Sequence, residues 1–148
     1  MKRADFEIMA PVGSWESLAA AFQAGAGSIY FGVDKLNMRA RSASKFTIDD
    51  LRQIARECDG HGVKSYLTLN TVMYGEDIPM IHEIADAALE AGISAVIACD
   101  IAVMTYCNSI GLEVHLSTQL NISNIEALRF YAQFADVVVL ARELNLQQ

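Results

Sequence analysis

One structural unit recurs along the chain. In each repeat an amphipathic stretch ends at a glycine. A short apolar run comes next, and a cluster of polar residues follows it. The apolar runs are rich in β-branched residues, which is typical of parallel strands covered on both faces. They span residues 8–10, 28–31, 65–69, 95–98, 114–116 and 137–140. The alternation of these runs with helical patterns predicts an α/β fold built from right-handed crossovers.

Five helical patterns lie between the apolar runs. They begin at Ser14, at Thr47, near Asp77, at Ile101 and at Ser123. Two of them open with a capping box, formed by Thr47 with Asp50 and by Ser123 with Glu126. Four glycines stand where helices should end, in the left-handed C-cap that glycine tolerates. They are Gly25, Gly62, Gly92 and Gly111.

Two architectures fit this order of elements, a doubly wound sheet and a barrel. No dinucleotide fingerprint follows the first strand, because Gly25 and Gly27 precede the second strand instead. Every predicted strand also ends in a polar cluster, and a barrel uses all of its β-to-α loops. The sequence therefore predicts an incomplete TIM-type (β/α) barrel with about six parallel strands and five helices. We expect residues 1–148 to form a single domain, the N-terminal portion of a (β/α)8-like barrel whose C-terminal remainder is absent.

Composition limits the class of protein. Apolar residues make up 53% of the 148 residues, but no apolar run is long enough to span a membrane. Acidic residues follow the first basic ones directly, so we expect no secretory signal, no membrane partner and a cytoplasmic location. The net charge of −7 argues against a general nucleic-acid surface. However, six of the 11 basic residues lie between Lys35 and Arg56. This cluster is interpreted either as an anion-binding patch or as a solvated mixed surface.

Polar residues alternate with apolar ones in two predicted strands. The third strand has Tyr66, Thr68 and Asn70 on one face, and the fifth has His115, Ser117 and Gln119. Alternate strands contribute to the same interior layer of a barrel, so the two rows are expected to face a common polar lumen. The alternative is a static core in which these groups satisfy one another.

The carboxyl ends of the strands are expected to converge on one mouth, where ligands bind. Arginines there suit a phosphate or a carboxylate, although a single arginine can equally form a surface ion pair. The predicted substrate-binding residues are Asn37, Arg39, Arg41, Asn70, Thr71, Gln119, Arg142 and Glu143.

The motifs identify no catalytic residue, and His115, Ser117 and Asp100 are only weak candidates. His115 and Ser117 resemble a base and a nucleophile, but neighbours at i and i+2 of one strand point in parallel. Three cysteines without CxxC spacing are interpreted as reduced thiols, so we expect no metal site in this segment.

Six ordered stretches together resemble the N-terminal part of the U32 peptidase family over nearly the whole chain. They are Met9-Ala-Pro-Val-Gly-Ser-Trp-Glu-Ser-Leu, Ile29-Tyr-Phe-Gly, Asn37-Met-Arg-Ala-Arg, Tyr66-Leu-Thr-Leu-Asn-Thr, His115-Leu-Ser-Thr-Gln and Val139-Leu-Ala-Arg-Glu-Leu. The family is named for collagenase-like proteases. Several bacterial branches are instead tied to oxygen-independent hydroxylation of a wobble uridine in tRNA, of a cytidine in ribosomal RNA, or of the ubiquinone ring.

The resemblance also implies cofactors. The RNA branches are linked to prephenate as a cosubstrate, and some members carry an iron–sulfur cluster on four cysteines. Those cysteines lie downstream in the family, and Cys58, Cys99 and Cys107 do not match them. We therefore expect no cofactor in this segment.

Three functions are consistent with these observations. The first is RNA nucleobase hydroxylation, with an anionic substrate or RNA bound at the mouth. The second is peptide-bond hydrolysis by a collagenase-like hydrolase, and the third is a non-catalytic scaffold subunit. Since an incomplete barrel has open sheet edges, we also expect a homo-oligomer formed through those edges.

Overall fold

The computed structural model describes residues 6–34, 36, 46–145 and 147. One parallel sheet runs through the described residues in the sequential order β1 to β6. Its strands are β1 (Met9–Pro11), β2 (Ser28–Phe31), β3 (Lys64–Leu69), β4 (Ala95–Ala98), β5 (Val114–Leu116) and β6 (Val137–Val138). Within the described ranges no strand is inserted between two others, and this sequential order excludes the doubly wound alternative. The fold is the predicted half-barrel.

The predicted helices are all present in the described parts of the chain. They are α1 (Trp15–Gln23), α2 (Leu51–Gly60), α3 (Ile78–Ala91), α4 (Ile101–Ile110) and α5 (Ile125–Tyr131). Short 3₁₀ turns (Ile48–Asp50, Gly75–Asp77 and Thr118–Leu120) follow β2, β3 and β5 along the chain. None of the described helices combines the length and the apolar character that crossing a bilayer requires.

Helix ends follow the predicted chemistry, with one correction. The Asp50 carboxylate accepts hydrogen bonds from the Thr47 N–H at 2.7 Å and from its hydroxyl at 2.9 Å. At α5, however, the N-cap is Asn124, whose Oδ1 accepts from the Ala127 N–H at 2.9 Å. The predicted Ser123 box was wrong because Glu126 pairs with Arg129 instead, and the adjacent asparagine takes the extended cap conformation.

Gly92 and Gly111 end α3 and α4 with φ of 82° and 77°. A residue with a Cβ is strained in this left-handed region, so the glycines terminate the helices as predicted. Gly25 and Gly62 also have positive φ.

The core lies between the outer face of the sheet and the helices. Leu67, Val96 and Val114 point outward from neighbouring strands and are fully buried, as are Ile84 of α3 and Met104 of α4. Full burial of each such side chain stabilises the fold by about 1.5–3 kcal/mol. This packing leaves the inner face of the sheet to the alternating polar rows.

The two outer strands have partly exposed apolar side chains. Met9 on β1 is 44% exposed and Val137 on β6 is 41% exposed. β6 is shorter than the predicted run 137–140, since it pairs only with β5 in the described residues and its second edge has no partner there.

Candidate functional site

The inner face of the half-barrel carries the two predicted polar rows. In register, Tyr30 aligns with Tyr66, Tyr66 with Ala95, and Ile97 with His115. The ring centroids of Tyr66 and His115 are 4.7 Å apart, although β4 lies between their strands. The two rows therefore lie on the same face of the sheet, as the strand periodicity predicts.

Polar contacts surround the Tyr66 and His115 rings at the amino-terminal end of this face. His115 Nε2 lies 2.7 Å from Oε1 of Glu113, the residue before β5. The Tyr66 hydroxyl donates to Glu7 Oε1 at 2.8 Å, and Lys64 Nζ donates to Glu7 Oε2 at 2.9 Å. We call Glu7, Lys64, Tyr66, Glu113 and His115 the floor network. The contact between the Tyr66 and His115 rings joins the two groups of polar contacts.

The charges of the floor network are set by burial and by its own contacts. Burial raises the pKa of Tyr66 to about 12, and its hydrogen bond to Glu7 adds to the shift. Burial also raises the pKa of Glu7, but hydrogen bonds from Lys64 and Tyr66 outweigh it, so the net pKa is lowered. Near neutral pH, Tyr66 is therefore a neutral donor and Glu7 an ionised acceptor.

The carboxyl-terminal end of β5 presents a different set of groups. Ser117 is buried, and its hydroxyl donates to Gln119 Oε1 at 3.1 Å. The backbone N–H of Gln119 donates in turn to Ser117 Oγ at 3.3 Å. His115 and Ser117 thus have separate partners at opposite ends of the strand, and they form no nucleophile–base pair in this structure.

The loops after β5 and β6 are joined. The Ala141 N–H donates to the Ile122 carbonyl at 2.9 Å, and both residues are buried. Arg142 and Glu143 follow directly and are exposed. This bond brings the loop of Gln119 beside the loop of Arg142, so these two predicted site residues border the same end of the half-barrel.

The ends of β3 and β4 carry further predicted residues. Asn70 and Thr71 follow β3 and are half-buried. Asp100 is the N-cap of α4, and its Oδ1 accepts from the Ala102 N–H at 2.8 Å. Cys99 Sγ lies 3.9 Å from the Thr71 carbonyl oxygen. Burial raises the pKa of the Cys99 thiol, and the negative charge of the nearby Asp100 raises it further. Asp100 thus has a structural role as a cap.

Three predicted substrate-binding residues, Asn37, Arg39 and Arg41, lie outside the described residues. The described residues on either side of them meet at the carboxyl end of β2. Val33 pairs with Phe46, and the Asp34 N–H donates to the Phe46 carbonyl at 3.2 Å.

Metal-ligating side chains do not cluster in the described ranges, where no group of three or more His, Cys, Asp or Glu is arranged to hold a metal ion. Cys58 and Cys107 are buried on α2 and α4, and burial raises their thiol pKa to about 11 and about 12.

Sequence reasoning missed most of the floor network. Lys64 and Glu113 extend the alternating rows of Tyr66 and His115 by two residues, and that periodicity was a usable signal. No sequence pattern indicates Glu7, because it precedes β1 and is 59 positions from Tyr66, whose hydroxyl it binds.

Comparison with known proteins agrees with this architecture. The model of peptidase family U32 matches residues 13–148. The chain is 68% identical over 144 residues to a Porphyromonas gingivalis protein named Collagenase, covering 97% of this chain and 35% of that protein. It is 31% identical over 142 residues to tRNA hydroxylation protein P1 of Bacillus subtilis, covering 94% of this chain and 33% of that protein. The chain thus spans about a third of the length of these curated relatives.

A solved structure has the same fold. The U32 peptidase Mk0906 superposes with a TM-score of 0.73 over 90% of this chain and 57% of that chain, at 12% identity.

Proposed function

Because the chain belongs to peptidase family U32, we propose that the full-length protein hydroxylates an RNA nucleobase such as a tRNA wobble uridine. In this proposal the described segment supplies the mouth that binds the substrate. The observation that carries the proposal is the hydrogen bond between the loops after β5 and β6, which places Gln119 and Arg142 at one end of the half-barrel. His115 bonds to Glu113 and Ser117 bonds to Gln119, so the catalytic pair that serine hydrolysis requires is not assembled.

The groups at the mouth suit a nucleotide. Gln119 and Arg142 lie on joined loops, and an amide with a guanidinium supplies donors for base and phosphate oxygens. The substrate-binding residues in this proposal are Asn37, Arg39, Arg41, Asn70, Thr71, Gln119, Arg142 and Glu143. The chain has a net charge of −7, so RNA binding rests on this local patch rather than on the whole surface. The Bacillus subtilis relative named for tRNA hydroxylation supports this substrate class.

Hydroxylation replaces a ring C–H bond by C–OH. In the balanced form of this step a hydroxylated cosubstrate gives up its OH group and takes the ring hydrogen in exchange. The family resemblance points to prephenate as the cosubstrate and to an iron–sulfur cluster held by cysteines outside this segment. A cytoplasmic location follows from an RNA substrate.

A second candidate is peptide-bond hydrolysis. The specific observation in its favour is the 68% identity to the protein named Collagenase, which exceeds the identity to the tRNA hydroxylation relative. In this case the catalytic groups come from residues outside the segment, because the described mouth does not pair a nucleophile with a base.

One pair of assays separates the two functions. Nucleosides from tRNA of a strain lacking the gene are compared by mass spectrometry with those of the complemented strain. The purified full-length protein is incubated with gelatin, with and without a chelator. We expect a hydroxylated uridine that depends on the gene, and no gelatin cleavage. Gelatin cleavage without any change in the nucleosides would overturn the proposal in favour of the hydrolase.

A further inference from the structure

The loop after β5 holds one side chain in a fixed orientation. Ser117 begins the 3₁₀ turn Thr118–Leu120, and its Oγ accepts the backbone N–H of Gln119 at 3.3 Å. The Ser117 hydroxyl donates to Gln119 Oε1 at 3.1 Å. Ser117 is 5% exposed, whereas the Gln119 side chain is exposed. A buried hydroxyl therefore holds the oxygen of an exposed amide.

These two contacts decide which end of the amide faces the mouth. The Ser117 oxygen already accepts a hydrogen bond from the Gln119 backbone N–H. Among the described residues, the acceptor for the Ser117 hydroxyl proton is Oε1 of Gln119. Turning the amide over would direct the Nε2 hydrogens at Ser117 and leave the buried hydroxyl proton without an acceptor, which costs free energy. The NH₂ group of Gln119 is therefore the end that is presented to a ligand.

The backbone of this loop is anchored on both sides. The Ser117 N–H donates to the Ala98 carbonyl of β4 at 2.8 Å, and the Ala141 N–H donates to the Ile122 carbonyl at 2.9 Å. Asn121 between them takes the left-handed conformation with φ of 49°, a turn that asparagine tolerates better than most residues. The position of Gln119 is consequently set by the sheet rather than by the ligand.

We infer that Gln119 is a dedicated hydrogen-bond donor that recognises the carbonyl oxygen of a pyrimidine base, and that Ser117 is a positioning residue that holds the Gln119 amide in this orientation. Uracil presents the O4 acceptor where cytosine presents the N4 amino donor. A fixed donor at Gln119 can hydrogen-bond to uracil O4, whereas the amino group of cytosine would place one donor against another. The site therefore favours uridine over cytidine. This inference rests on the proposed RNA substrate, and it assigns Ser117 a role other than that of a nucleophile.

The test uses the full-length protein and two anticodon stem-loop RNAs that differ only in having uridine or cytidine at the wobble position. Affinity is measured by fluorescence anisotropy, and kcat and KM for hydroxylation are measured separately by nucleoside mass spectrometry. The variants are Ser117→Ala, Ser117→Thr and Gln119→Glu. The control is Ser123→Ala, an exposed serine of the same connection that does not cap α5.

We expect the wild-type protein and Ser123→Ala to favour the uridine RNA by about tenfold. Gln119→Glu replaces the donor by an acceptor and should abolish or reverse this ratio. Ser117→Ala should reduce the ratio through KM with little change in kcat, and Ser117→Thr, which keeps the hydroxyl, should restore it. An unchanged ratio in Gln119→Glu or in Ser117→Ala would overturn the inference, and so would a loss of kcat alone in Ser117→Ala.

The failures of the two proposals are distinguishable. A wild-type protein that neither binds nor hydroxylates RNA refutes the proposed function, and the present inference then fails with it. If the wild-type protein hydroxylates uridine and its preference survives either Gln119→Glu or Ser117→Ala, the inference alone is refuted.

Discussion

Tyr66 on β3 contacts His115 on β5 across the strand that separates them, with ring centroids 4.7 Å apart. The residue of β4 in register with Tyr66 is Ala95, whose side chain is a single methyl group. Both rings are nearly buried, at 5% and 8% exposure. A small residue on the intervening strand therefore lets side chains from β3 and β5 meet on the inner face of the sheet.

This relationship predicts that Ala95→Leu is destabilising. Ala95 is fully buried, and a larger side chain there must displace the Tyr66 or the His115 ring. Overpacking of this kind costs about 1–3 kcal/mol. Urea denaturation of the full-length protein measures the change, with the exposed Ala132→Leu as the matched control. Equal midpoints for the two variants would contradict the proposed role of Ala95.

The floor network predicts a specific response to acid. The pKa of Glu7 is lowered in the folded protein from its ordinary value of 4.5, despite burial, by hydrogen bonds from Lys64 and Tyr66. The stabilisation is thus fully present above pH 4.5 and is lost as the pH falls through the lowered value. Glu7→Gln should be less stable than the wild type at pH 7, and the difference should shrink below pH 4.5.

Thermal melting at a series of pH values measures this difference. Glu76→Gln removes an exposed carboxylate and serves as the control. A gap between Glu7→Gln and the wild type that stays constant down to pH 3 would show that ionised Glu7 does not act through the network.

Asp100 is predicted to act as a helix cap. Its Oδ1 accepts from the Ala102 N–H at 2.8 Å at the start of α4. Asp100→Ala should destabilise the protein by about 0.5–2 kcal/mol, and Asp100→Asn should retain most of the stability because asparagine also caps. Asp59→Ala, at an exposed position near the end of α2, controls for the loss of charge. If Asp100→Ala melts at the same temperature as that control, the cap has no energetic role.

The basic segment after β2 is predicted to bind the anionic part of the substrate. In the full-length protein, Arg39→Ala or Arg41→Ala should weaken RNA binding by roughly tenfold or more, since charge-assisted bonds contribute about 1.5–3 kcal/mol. Fold stability should change little, because exposed arginine pairs contribute about 0–1 kcal/mol. Arg52→Ala removes the same charge from a surface ion pair with Glu90 and is the control. Binding titrations with circular dichroism melting test both parts. Unchanged affinity, or a loss that follows unfolding, would refute this role.

Open sheet edges predict association of the chain 1–148. Met9 and Val137 are exposed on β1 and β6, and an unpaired edge is a template for another strand. Light scattering of this chain should show oligomers, and Met9→Lys together with Val137→Lys should reduce them. A clean monomer at high concentration would rule out association through the edges.

The repeated unit predicted the strand number, the strand order and the polar inner rows, because alternation and glycine placement are local properties of the sequence. The partners of those rows were not predictable in the same way. Glu7 meets Tyr66 only after the sheet has formed, and no periodicity says which carboxylate a tyrosine will reach. The α5 cap was misassigned by one residue because Ser123 and Asn124 are both good capping residues and stand next to each other. The roles of the mouth residues stay predictions, and three of them lie outside the described residues.

The pairing of Val33 with Phe46 has a consequence for how such a protein can diversify. Both ends of the segment between them are fixed at the same strand end, where the Asp34 N–H donates to the Phe46 carbonyl. Because Val33 and Phe46 hold the two ends together, a change in the number of residues between them leaves the register of β2 with β1 and β3 untouched. The sequence and the number of residues between Val33 and Phe46 can therefore change while the strands keep their pairing. The anion-binding role predicted for Arg39 and Arg41 can thus be altered without a change of fold.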